Sequence, residues 1–147
     1  MSKVTALYHI VFATKNRALS IPMELREELY RFIWHEIKTT GSTLYRIGGV
    51  SDHVHMLVNL HPSTSLADLM RDVKSHAAQW MKADARFTRF DGWAKEYYAC
   101  SVSPQHKDAV IAYIISQPQH HAKINFANEL NRMFEEAGLI NHPEDLK

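Results

Sequence analysis

Two hydrophobic periods alternate along the chain, and their alternation predicts the order of its elements. Short runs rich in β-branched and aromatic residues predict strands, because such side chains fit a pleated, half-buried surface. Longer segments with apolar residues three and four positions apart predict amphipathic helices. The predicted strands are residues 7–14, 43–50, 53–60 and 96–102. A helix is predicted in each of the two long intervals between them, and two more follow the last strand.

The predicted helices begin and end at residues suited to those positions. Pro22 precedes the first helix, where its missing N–H costs nothing, and Gly41 ends it. The second helix runs from residue 66 to about 83, with apolar side chains on one stripe. Pro118 must kink or end the third, because proline lacks a backbone donor and clashes with the preceding turn. The last helix is expected over residues 122–137.

The first six elements follow the order strand, helix, strand, strand, helix, strand. This is the split β-α-β pattern of ferredoxin-like folds, so we predict an α+β, RRM-like domain with a four-stranded antiparallel sheet and additional C-terminal helices. In the strand order 4-1-3-2 the strand at 53–60 is central. The predicted helices would then cover one face of the sheet and leave the other open to a ligand. We expect a single domain over residues 1–138 and a flexible tail over 139–147.

Composition narrows the class of protein without naming a function. The 147 residues are 46% hydrophobic and 22% charged, which is typical of one soluble globular domain. No apolar run approaches the roughly 20 residues needed to span a bilayer, and the N-terminus lacks an apolar signal segment, so we expect a cytoplasmic protein. The single cysteine, Cys100, excludes an internal disulfide. A net charge of +1 neither indicates nor excludes a nucleic-acid partner.

Two histidines at the start of the third strand are the first candidate for chemistry. His53 and His55 are two residues apart, so they share one face of the strand while Val54 faces the other way. Two imidazoles side by side on a stiff strand are what a metal site needs. Taken alone, however, the pair is better explained as a hairpin with two partly exposed histidines.

The third helix carries two residues that favour a metal site over a simple hairpin. Tyr113 and Gln117 are four positions apart, so they lie on one side of the helix, at the edge of its apolar stripe. The glutamine oxygen and the two imidazoles would make a three-ligand N,N,O site with open positions, which suits a divalent ion acting on a phosphate. A phenol near such an ion is a candidate covalent nucleophile.

These motifs resemble the single-tyrosine transposases of the insertion-sequence-200-like family, which carry a His-hydrophobic-His (HUH) motif. The resemblance rests on DHVHML at 52–57, YIISQ at 113–117 and YHIVFATKNR at 8–17. The resemblance covers about residues 6 to 126. It extends to the related REP-associated tyrosine transposases. The opening strand and the Tyr-x-x-x-Gln helix together make it specific.

The resemblance implies an enzyme that cleaves and rejoins single-stranded DNA at the ends of a mobile element. Tyr113 would attack the scissile phosphate and form a 5′-phosphotyrosine, leaving a free 3′-OH. His53, His55 and Gln117 would hold Mg²⁺ or Mn²⁺. Family members recognise imperfect DNA hairpins, and they form homodimers in which the tyrosine helix of one subunit can serve the histidines of the other.

Several further polar residues are candidates for supporting roles. Asp52 could orient a metal-bound imidazole, as carboxylates behind metal ligands do, or it could be an ordinary turn residue. His121 continues the side of the helix that carries Tyr113, and Lys15 and Arg17 could neutralise phosphates. His9 lies nearer the far end of the first strand and is not included among the predicted ligands.

Two other functions remain open. One is a non-catalytic RRM-like module that binds RNA on an open sheet face, although the first strand lacks the glycine-aromatic signature of such modules. The other is a domesticated relative that processes repeat hairpins of its host with the same chemistry.

Overall fold

Four antiparallel strands form one sheet in the order β2-β3-β1-β4, as predicted. A computed structural model describes residues 2–120 and 126–136; the predicted tail at 139–147 and the start of the last helix lie outside them. The strands are β1 (Leu7–Thr14), β2 (Thr43–Val50), β3 (His53–Asn59) and β4 (Trp93–Val102). The helices are α1 (Arg26–Thr39), α2 (Leu66–Lys82), α3 (Lys107–Ile115), α4 (Gln117–His120) and α5 (Phe126–Glu136).

The main core lies between one face of the sheet and helices α1 and α2. Because side chains alternate along a strand, the even-numbered apolar residues of β1 and β3 point into this core. They pack against the buried side chains of each helix, which recur every three or four residues. The residues that the hydrophobic pattern assigns to the core are therefore the ones that pack there. Core members include Ile10, Phe12, Val54, Met56, Val58, Leu29, Ile33, Ile37, Leu69, Val73 and Ala77.

The second face of the sheet carries the odd-numbered residues of β1 and β3, and it differs from the expectation. Helix α5 covers part of it, because Leu130 packs with Val11, Ala13 and Tyr98 in a smaller apolar cluster. Helix α3 lies against β2 and β3 on the same side. The face predicted to be open is therefore roofed by the C-terminal helices, because the amphipathic α5 needs an apolar surface of its own.

Two glycines of β2 lie outside the irregular part of that strand and allow a close helix contact. The register shift of β2 against β3 falls between Leu44 and Arg46, whereas Gly48 and Gly49 pair regularly with His55 and Val54. A Cβ at Gly48 would lie 2.9 Å from the carbonyl oxygen of Ile114. Because Gly48 has no side chain, α3 can lie close to the sheet.

Within residues 2–120 and 126–136, no helix has both the length and the apolar character needed to cross a bilayer.

Candidate metal and nucleophile site

The two histidines of β3 lie on the roofed face of the sheet and are fully buried, rather than partly exposed. His53 pairs with Ala13 and His55 with Val11 of the neighbouring strand, so both imidazoles stand on central strands. Their ring centroids are 5.1 Å apart. The two rings therefore lie side by side on one face of β3, as their two-residue spacing predicts.

The carboxylate of Asp52 contacts the first histidine. Asp52 Oδ1 lies 2.7 Å from His53 Nδ1, so this ring nitrogen is a donor and the other one points into the site. Burial lowers the pKa of His53, but hydrogen bonds to Asp52 and Glu129, together with their charges, outweigh it and raise the pKa above its ordinary value. The Asp52 carboxylate thus holds the imidazole in a defined orientation.

Glu129 of α5 completes a cluster that the sequence analysis did not identify. Its side chain is only 2% exposed. Glu129 Oε1 lies 3.1 Å from His55 Nε2, and Oε2 lies 3.6 Å from His53 Nε2. Ligand atoms of these three residues all lie within 4.8 Å of one another. A buried carboxylate facing two imidazoles requires a compensating positive charge, from protonated histidine or from a cation.

Tyr113 and Gln117 reach the same carboxylate from the other side. The Tyr113 hydroxyl donates to Glu129 Oε1, and Gln117 Nε2 donates to the same oxygen at 3.1 Å. A break at Ser116 separates α3 from α4, one residue before Gln117. The helix therefore ends just before Pro118, as the sequence predicted, and both side chains still face the histidines.

The phenol of Tyr113 is a poor nucleophile in this environment. Burial raises the pKa of Tyr113 above its ordinary value, and its hydrogen bond to the Glu129 carboxylate raises it further. A cation bound beside Glu129 would oppose both effects, because positive charge stabilises the phenolate.

The residues present fit a divalent metal. Two imidazole nitrogens, one carboxylate and one amide oxygen form a mixed N,O donor set that suits a divalent metal ion. Gln117 is fully buried, and its Oε1 has no hydrogen-bond partner among the described residues. A buried amide oxygen without a partner costs stability unless a ligand satisfies it, so this atom is a candidate ligand.

His9 of β1 lies beside this cluster. It is 8% exposed, and its Nε2 lies 2.9 Å from His55 Nδ1. Burial and the neighbouring His55 lower the pKa of His9 to about 3, against a smaller opposing effect of Glu129, so the ring is neutral. Position 9 shares a face with residues 11 and 13 of β1, which pair with the two histidines of β3. Alternation along the strand could therefore have predicted that His9 lies on the histidine face.

A cavity of about 280 Å³ opens next to Tyr113, between α3 and α5. Tyr113 and Glu129 form its inner wall, and His106 and Arg132 stand at its exposed side. The phenol can therefore be approached from solvent.

The other candidate residues lie outside the cluster. Lys15 forms an exposed ion pair with Asp91, with 3.5 Å between Nζ and Oδ2. Arg17 ends the short 3₁₀ turn that follows β1, in the left-handed backbone region with φ of 52°. His121 falls outside the residues that the structure describes.

Comparison with known proteins identifies similar structures and a matching family. The chain is similar in structure to a candidate transposase from Deinococcus radiodurans R1, with a TM-score of 0.61 and 22% identity over 80% of this chain and 95% of the other. It is also similar to a REP-associated tyrosine transposase bound to a REP hairpin, with a TM-score of 0.64 and 12% identity over 84% of this chain and 76% of the other. No curated protein matches the chain. The sequence profile described as "Transposase IS200 like" matches residues 2–117. The chain therefore belongs to the IS200-like transposase family.

Proposed function

We propose that this transposase cleaves and rejoins single-stranded DNA, with Tyr113 as the nucleophile. The observation that carries the proposal is the convergence of Tyr113, Gln117 and two histidines on the carboxylate of Glu129. A nucleophile, a proton acceptor and a set of metal ligands thus lie in one site, in a chain of a transposase family.

In the cleavage step the Tyr113 oxygen attacks the scissile phosphorus roughly in line with the leaving 3′-oxygen. The bond to the 3′-oxygen breaks and a 5′-phosphotyrosine forms. Glu129 accepts the phenolic proton, because its Oε1 already holds that hydrogen bond. The leaving 3′-oxygen takes up a proton from water as it departs. In rejoining, a 3′-OH attacks the phosphotyrosine and gives its proton to water, and the released phenolate recovers its proton from Glu129.

His53, His55 and Gln117 would hold Mg²⁺ or Mn²⁺, with Glu129 as a further oxygen donor on the same side. When bound, such an ion neutralises charge on the non-bridging phosphate oxygens. The chain itself contributes orientation: Asp52 holds one imidazole, and the sheet holds both rings in place.

The test is a covalent-adduct assay with hairpin-bearing single-stranded DNA and Mn²⁺. We expect the wild type to form an adduct that survives denaturing electrophoresis and Tyr113→Phe to form none. Tyr97→Phe is the matched control, since Tyr97 packs against the main core on the opposite side of the sheet. An adduct with Tyr113→Phe would refute the proposed nucleophile.

A groove between α1 and β2 is the surface that we propose for hairpin DNA. Its volume is about 360 Å³. Trp34 is 39% exposed and Tyr45 is 40% exposed at its walls, and aromatic faces of this kind stack on bases. Arg31 and Arg46 also line it, and neither forms an ion pair with any residue that the structure describes. Exposed cations without partners are available to phosphates.

Replacing both arginines of this groove with alanine should weaken hairpin binding and reduce the slope of log K against log salt by about 2. The matched control is Lys82→Ala with Arg89→Ala, which removes the same charge from exposed positions outside the groove. Equal losses in the two double variants would show that only net charge matters.

We further propose that the transposase works as a homodimer. In one chain Tyr113 already lies beside its own histidines, with 5.7 Å between its ring centroid and that of His55. Mixing Tyr113→Phe with His53→Ala protein separates two arrangements: recovered cleavage indicates that the tyrosine helix is exchanged between subunits. Without recovery, each chain uses its own tyrosine. Light scattering that gives a monomer at micromolar concentration would contradict the dimer.

The alternative of an RNA-binding RRM-like module requires an accessible sheet face. Helices α3 and α5 lie on the face that such modules use, and its central positions are histidines buried against Glu129. This arrangement favours the enzyme.

A further inference from the structure

We propose that His9 is a positioning residue of the metal site: its Nε2 accepts the Nδ1–H of His55 and thereby directs the Nε2 lone pair of His55 toward the metal. This inference rests on the proposed metal-dependent function and assigns a role to a residue of β1 that supplies no ligand itself.

The backbone places the two imidazoles in contact. His9 pairs with Leu57 and His55 with Val11 across β1 and β3, so the two histidines are diagonal neighbours on one face. Their ring centroids are 5.1 Å apart, with an angle of 31° between the ring planes. The 2.9 Å between His9 Nε2 and His55 Nδ1 is a full hydrogen bond, made inside the protein. Because both strands are central, pairing on each side holds the backbone of the two histidines in this register.

The chemistry of imidazole determines the direction of this hydrogen bond when a metal is bound. A neutral histidine that coordinates through Nε2 must carry its proton on Nδ1, so it needs an acceptor there. Ligand histidines generally find this acceptor in a carboxylate, a carbonyl or water. His53 Nδ1 has the Asp52 carboxylate at 2.7 Å, and the corresponding atom of His55 has the ring nitrogen of His9 at 2.9 Å.

The first experiment measures binding of Mn²⁺ alone by calorimetry, without DNA. We expect His9→Leu to weaken Mn²⁺ binding by about 10- to 100-fold, the usual effect of removing a partner behind a ligand. His9→Gln, whose amide oxygen can accept the same proton, should recover part of this loss. Ile10→Val is the matched control, because it removes one methyl group from the opposite face of the same strand, where Ile10 packs in the main core. Ile10→Val should lower the melting temperature and keep the Mn²⁺ affinity within about twofold of wild type.

Unchanged Mn²⁺ affinity in His9→Leu, or an equal loss in Ile10→Val, would overturn the inference. A second measurement needs no variant: nitrogen-15 NMR of the Mg²⁺-loaded wild type should show His9 Nε2 without a proton and His55 Nδ1 with one. The reverse assignment would also overturn it.

The outcomes separate this inference from the proposed function. If the wild type forms the Tyr113 adduct while His9→Leu binds Mn²⁺ normally, only the role of His9 is wrong. If His9→Leu loses Mn²⁺ affinity while the wild type forms no adduct with any hairpin, only the proposed reaction is wrong.

Discussion

Gly48 lies where β2 passes beneath α3, and replacing it with alanine tests how closely the sheet is coupled to the helix that carries Tyr113. An added Cβ would lie 2.9 Å from the carbonyl oxygen of Ile114 and 3.1 Å from its Cγ2. The first contact is with backbone, so no side-chain rotation can relieve it. Helix α3 must therefore move away from the sheet by a few tenths of an ångström or more.

The magnitude follows from two effects. Overpacking of this kind costs about 1–3 kcal/mol of folding free energy. Ile114 is buried and is the neighbour of Tyr113, so the displacement is carried to the phenol and its hydrogen bond to Glu129. A misplacement of about 1 Å at a reacting group can cost 10²-fold in rate, so a smaller shift should cost about 10-fold or more.

Two assays on Gly48→Ala measure these effects separately. Chemical denaturation should show the loss of stability, and single-turnover adduct formation with saturating Mn²⁺ should show the loss of rate. Gly41→Ala is the control, because Gly41 has a φ of +80° and lies near His61, at the opposite end of β3 from the histidine pair. It should lose stability, by about 1 kcal/mol or more, without a slower cleavage step. A wild-type cleavage rate in Gly48→Ala, or equal rate losses in both variants, would refute the reasoning.

Three further predictions concern single interactions. Glu129→Gln should lower Mn²⁺ affinity about 10-fold or more, because it removes the negative charge that faces both histidines; unchanged affinity in calorimetry would show that Glu129 is not a ligand. Ser65→Ala should cost about 1 kcal/mol in chemical denaturation, since the Ser65 side chain accepts the Asp68 N–H at the start of α2. The hydrogen bond to Glu36 raises the pKa of His76 despite slight burial. Its stabilising effect is therefore present below the unfolded pKa and is lost as pH rises through the folded pKa, and NMR titration should show a lower His76 pKa in Glu36→Gln.

Local patterns in the sequence were enough for the fold. The two periods of hydrophobic residues identified four strands and the helices around them, and the split β-α-β order leads to the observed strand order. The pair at 53 and 55 and the pair at 113 and 117 could also be placed on a common face of their elements, because geometry within one strand or helix depends only on spacing.

Contacts between distant elements could not be read in this way. Glu129 is one of several acidic residues on an amphipathic helix, and nothing local distinguishes it from a solvated one. Only the packing of Leu130 against Val11 and Tyr98 places α5 over the sheet and brings the preceding residue to the histidines. The position of His9 along β1 likewise became meaningful only once the register against β3 was known.

The amino-acid sequence alone determined the elements, their order and the residue types that a nucleophile and a metal would need, because these depend on short-range spacing. The tertiary structure decided which of those residues meet. Helix α5 buries apolar surface against the face of the sheet that was predicted to be open. This packing places the carboxylate of Glu129 beside the two histidines and encloses them. That step depends on long-range packing, in which residues more than 70 positions apart share a contact.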